Sequence, residues 1–400
     1  MKSLKTFLIW GIVVLVGVAS FTTLAISRGE QVSAVWMVTA AVSVYCIAYR
    51  FYSLYIAKYV MQLDPNRLTP AERHNDGLDY VPTHKGVLFG HHFAAIAGAG
   101  PLVGPVLAAQ MGYLPGTLWI IFGVVFAGAV QDMMVLFVSM RRDGKSLGDI
   151  VKQELGTVPG VIASIGILMI MVIIMAVLAL IVVKALVHSP WGTFTIAATM
   201  PIALFMGIYT RYIRPGKIGE ISIVGFILLM LAVIYGDNVA HSSIGHWFDL
   251  DGIQLTWAIM IYGFVASVLP VWLLLTPRDY LSTFLKIGTI VALAIGILIV
   301  SPALQMPAVT HFIDGSGPVF SGALFPFLFI TIACGAVSGF HALISSGTTP
   351  KMLENETHVR MIGYGGMLME SFVAIMALAA ASSLDPGVYF AMNSPAALIG

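Results

Sequence analysis

Apolar runs of about 20 residues recur along nearly all of this 400-residue chain, and that repetition limits its fold more than any other feature. About 20 residues is the length an α-helix needs to cross a hydrocarbon core, whereas the strands of a membrane barrel are about 10 residues long and alternate in polarity. The chain is 58% hydrophobic and only 10% charged, far below the roughly 25% charged content of a soluble domain. It reads as an all-α polytopic membrane protein surrounded by lipid bilayer. A formal net charge of +1 offers no basic surface for nucleic acid.

Eleven spans are drawn at 6–27, 33–60, 88–112, 118–139, 160–187, 193–210, 218–236, 256–277, 284–303, 322–346 and 359–384. Lys2 and Lys5 before the first could open a signal peptide, but the apolar run is too long for one and ends without a clear cleavage site. It is expected to persist as a helix. With the N-terminus in the cytoplasm, 18 of the 20 Lys and Arg fall on the cytoplasmic side and only Arg28 and Lys184 on the other. A miscounted span would scramble that asymmetry, so the count and the orientation support each other. The chain then divides into two peripheral N-terminal helices (1–60), a cytoplasmic loop (61–87), a first five-helix repeat (88–236) and a second repeat of four helices (256–400).

Within span 88–112, Gly98, Ala99, Gly100, Pro101, Gly104 and Pro105 stand close together. Each proline removes a backbone donor and clashes with the preceding turn. Irregular backbone at membrane depth is tolerated only where protein or a watered cavity surrounds it, so this helix should face a central site. A second interruption is read in 262–280, with Pro270 at mid-membrane and Ser267 before it. The two lie five spans apart and enter from opposite sides, as in an inverted repeat whose paired broken helices flank a transported solute. Gly98, Ala99, Gly100, Gly104, Ser267 and Pro270 are accordingly the substrate-binding candidates. Close packing through small residues is the competing explanation.

Charged groups inside a bilayer are costly and usually face the bundle interior. Asp132, Glu370 and His341 fall within spans and are candidates to carry a coupling proton, since burial penalises their charged forms. For the two acids, a paired carboxyl that locks helices together is the alternative. His91 and His92 are adjacent and point about 100° apart, so they cannot form the i, i+4 pair of a metalloenzyme. They are placed at the cytoplasmic mouth of the broken helix, with His92 a further relay candidate. Ser338 and Ser345 could ligate a small cation together with carbonyls freed at 98–104. Lys184 lies near an outer end, where it can snorkel. Cys46 and Cys334 lack ligand spacing and read as packing thiols. The loop 236–254, with its Asp and His residues, reads as a solvated connection. No metal site and no cofactor are expected.

Four long stretches, GHHFAAIAGAGPLVGPVLAAQMGYLPGT, AGAVQDMMVLFVSMRRDGKSLGDI, LPVWLLLTPRDYLSTFLKIG and FPFLFITIACGAVSGFHALISSGTTPK, resemble the carbon starvation protein A family, and the similarity runs over nearly the whole chain. The resemblance implies a bacterial inner-membrane transporter linked to peptide uptake on carbon starvation and, in some members, to proton-coupled pyruvate import. It also implies the five-plus-five inverted repeat of the amino acid, polyamine and organocation superfamily. Members usually continue well beyond the point where a tenth core helix would begin after NSPAALIG, so the chain is expected to be a fragment.

The expectation is a secondary transporter importing pyruvate or short peptides, driven by protons in preference to sodium. A nutrient sensor with a transporter-like fold, signalling to a partner, is the alternative. An embedded enzyme is disfavoured, because neither HExxH nor a nucleophile elbow occurs.

Overall fold

The structure, a computed structural model, describes residues 32–395 and, apart from them, Val16; the span expected at 6–27 otherwise lies outside the described residues. Helix α1 covers Ala34–Val60 and the bent pair α2 and α3 covers Lys85–Ile96 and Gly100–Met111, with 46° between them. Helix α4 is Tyr113–Arg141, α5 Leu147–Leu155, α6 Thr157–Leu186, α7 Pro190–Ile213, α8 Ile218–Ala240, α9 Gly252–Val268 and α10 Leu275–Val300. Three short pieces follow: α11 (324–331), α12 (Ala333–Ala336) and α13 (Gly339–Ser345). Helix α14 is Arg360–Ser382 and α15 Pro386–Asn393. Among the described residues, seven helices are long and apolar enough to cross a membrane, and eight if the bent pair is one span.

Burial ranks these helices. In the most apolar stretch of α14, 78% of residues are buried, whereas none are in that of α6. Helix α14 is therefore the axis of the bundle, and α6 presents its side chains outward to lipid. Helix α1 ties to the axis through Tyr45 Oη and Ser371 Oγ at 2.6 Å.

The connections assigned to one side by their positive charge meet at one end of the bundle. There the buried Glu356 carboxylate accepts from Arg141 and lies 3.4 Å from Arg67. Leu78 accepts from the Val271 amide, and Gly77 from the Trp272 indole. Asp76 shapes this loop by accepting from the amides of Leu78, Asp79 and Tyr80. Burial works against its ionisation, but these amides outweigh it and hold the carboxyl below its usual range. At the opposite end, the segment after α10 closes over α3 and α4, with Gln110 bonded to Val319 and Phe320 and the Leu114 amide to Ala308.

Two expectations need correction. Pro270 is not at mid-membrane: α9 ends at Val268, α10 begins at Leu275, and the residues between bond to the loop at Gly77 and Leu78. The span expected at 322–346 is not one helix. It breaks after Thr331 and again at Val337 and Ser338, both extended. The second deep interruption thus lies in the tenth span, not the eighth, and it packs against the first.

That packing is backbone on backbone. A methyl added at Gly104 would collide with the Thr331 carbonyl oxygen, and one at Gly128 with that of Ala336. Small residues permit such approach between membrane helices. Gly104→Ala should therefore destabilise the fold by about 1–3 kcal/mol, read as a lower midpoint of thermal unfolding in detergent. Gly98→Ala, whose methyl meets nothing within 4 Å, should shift the midpoint less. Equal midpoints for the two variants would contradict the backbone contact.

Candidate functional site

The packed breaks bring four polar side chains together. Asp132 comes from α4, Cys334 from α12, His341 from α13 and Glu370 from α14. Between α12 and α13 the extended residues Val337 and Ser338 carry the chain back toward α4, where the Gln131 amide donates to the Ser338 carbonyl at 2.5 Å. His341 then lies between two acids. Its Nδ1 is 3.0 Å from Asp132 Oδ2 and its Nε2 is 2.9 Å from Glu370 Oε2, with all three side chains fully buried.

Cys334 completes the group by donating its thiol to Glu370 Oε1 at 3.2 Å, with its sulfur 4.0 Å from His341 Nε2. It is thus more than the packing thiol expected from sequence. Cys334, His341 and Glu370 each offer an atom within 4.8 Å of the others, so they are the described residues that could hold a metal ion. His341 is hydrogen-bonded to Asp132 and Cys334 to Glu370, and the His341–Glu370 pair is a close polar contact. An imidazole facing a carboxylate at each nitrogen can accept a proton at one edge and release one at the other.

The other sequence candidates divide. His91 and His92 are buried; His91 Nδ1 lies 2.9 Å from Asp279 Oδ2, and His92 Nδ1 is hydrogen-bonded to Thr349 Oγ1 at 2.9 Å. Gly100 and Gly104 pack onto Cys334 and Thr331, while Gly98 faces open space. Ser267 is exposed and bonds only back to Phe264, and neither it nor Pro270 reaches the cluster. Ser345 is fully buried with an unbonded hydroxyl, and Ser338 is buried with its carbonyl bonded to Gln131. A cavity of about 400 Å³ at the loop end, lined by His84, Arg211, Trp272 and Tyr280, shares no residue with the cluster.

Lys286 escaped sequence reading because, at the start of span 284–303, it was counted only among the cytoplasmic-side charges. It stands in the fourth turn of α10 and donates to the Ala94 and Ala97 carbonyls at 2.8 and 2.9 Å. The spacing of Asp279, Thr283 and Lys286, i, i+4 and i+7 in an apolar helix, was the available signal. Cys334 and His341, seven residues apart, were another.

The family described as carbon starvation protein CstA matches residues 33–400. The chain belongs to that family. It is 69% identical over 394 residues to the peptide transporter CstA of Escherichia coli K12, covering 98% of this chain and 56% of that protein. It is 64% identical over 392 residues to the pyruvate/proton symporter BtsT of the same organism, covering 98% and 55%. The peptide transporter CstA of Bacillus subtilis 168 is 50% identical over 362 residues, covering 90% and 60%. The chain thus spans somewhat more than half the length of these relatives, and no solved structure matches it.

The cluster should also matter for stability. Asp132→Ala strands the buried His341 Nδ1 and should cost about 3–5 kcal/mol, whereas Asp132→Asn keeps the shape and an acceptor and should cost less. Thermal unfolding in detergent measures both. An Asp132→Ala midpoint equal to wild type would show that the contact holds nothing.

Proposed function

We propose that this chain forms the solute and proton path of a secondary transporter that imports pyruvate or short peptides into bacteria by proton symport. The observation that carries the reading is the buried Asp132–His341–Glu370 array at the contact of two broken spans. Intramembrane ionisable groups of this kind are expensive and mark ion pathways, and broken helices are where transporters place their sites. The names borne by relatives, peptide transporter and pyruvate/proton symporter, are consistent with it.

In this reading the proton enters the array at one carboxylate, crosses the imidazole and leaves at the other. The array joins α4, α13 and α14, so its protonation biases how these elements pack. The substrate carboxylate lies against the first amides of α3 near Gly98, Ala99 and Gly100, where a helix N-terminus favours an anion. The loop end, with its arginines and lysines, faces the cytoplasm of a cell whose inner membrane holds the protein.

Uptake of labelled pyruvate and dipeptides into proteoliposomes, with pH and sodium gradients imposed separately, tests the reading. Accumulation should follow an inward proton gradient and persist without sodium. Asp132→Asn and Glu370→Gln should each lower it about tenfold or more, the rate equivalent of one charge-assisted hydrogen bond. No accumulation of either solute under any gradient would overturn transport. Full uptake by both variants would overturn the proton route alone.

A further inference from the structure

The break between α2 and α3 exposes carbonyls that lipid cannot satisfy. The last carbonyls of a helix have no partner within it, and inside a bilayer each must find one in the protein. Here the Ile96 oxygen accepts from the Gly98 amide, and the Ala99 oxygen from Leu102 and Val103. Of the oxygens left over, the Lys286 ammonium takes those of Ala94 and Ala97.

The rest of α10 holds that ammonium in register. One turn back, Thr283 donates to the Gly90 carbonyl at 2.8 Å, and a further turn back Asp279 meets His91 at 2.9 Å. Three polar side chains along one stripe of α10 thus run up the face of α2 and end at its C-terminus. A positive charge there is also favoured by the helix dipole. Carbonyl oxygens at an unwound helix end are the ligands that alkali cations use in membrane proteins. The ammonium occupies that place.

We propose that Lys286 is a cation built into the chain that closes the α2–α3 break by filling a carbonyl site of the alkali-ion type, so that the break is held without bound sodium. Lys286 is then a positioning residue for the broken helix. The inference rests on the geometry of the break and not on which solute is carried, and it can fail while transport stands.

The test follows the break directly, by amide hydrogen exchange of residues 94–103 and thermal unfolding of the intact protein in detergent. Replacing sodium by choline should leave the wild type unchanged in both. In choline, Lys286→Ala should exchange at 94–103 about tenfold faster or more and unfold at a lower temperature. Adding about 0.1 M sodium or methylammonium, enough to populate a weak site, should restore much of both. Lys286→Met, which fills the space without charge, should show the loss without the recovery. Wild-type protection in Lys286→Met, or a Lys286→Ala protein that neither cation restores, would overturn the proposal. Should neither variant fold, the wild type decides: protection at 94–103 that needs sodium overturns it, and protection in choline supports it.

Discussion

Everything distinctive in this bundle follows from one constraint: a backbone group that leaves a helix inside a bilayer has no water to turn to. Among the described residues, the chain leaves helical geometry at depth at 97–99 and again on either side of α12, at 332 and at 337–338. In both places protein supplies the missing partners. Lys286 serves the first break and Gln131 the second. The breaks also serve each other, because Gly104 lets the Thr331 carbonyl approach, as Gly128 of α4 does for that of Ala336.

This arrangement creates a polar interior where a continuous bundle would have none. Asp132, His341 and Glu370 are each unfavourable alone in a low-dielectric core, and each becomes tolerable because another faces it. Cohesion and chemistry therefore share the same atoms: the contacts that hold α4, α13 and α14 together are the ones able to move a proton among them. The outer helices carry no such burden, and α6 has a hydrophobic surface turned outward along its length.

Much of the fold was legible. The apolar runs marked the helices of the described region, and the positive residues grouped connections that do meet at one end, as the contacts of Glu356, Leu78 and Gly77 show. The first break was legible too, since Gly98, Gly100, Pro101 and Pro105 make a helix there costly. The second was misplaced because Pro270 looked like a breaker within a span. It follows the Leu269 cap of one helix and starts a turn, while the real break at 332–338 contains no proline and is forced by packing.

The sequence by itself determined the all-helical membrane class, the family, the first break and the identity of Asp132, His341 and Glu370 as the residues to watch. These follow from composition and local backbone chemistry, which act within a few turns of chain. Only the tertiary structure decided that those three residues meet, that Cys334 joins them and that Lys286 reaches the first break. Such contacts join residues as far as 209 positions apart, and their geometry depends on how close one backbone can approach another, a property of the packed bundle that no local pattern encodes.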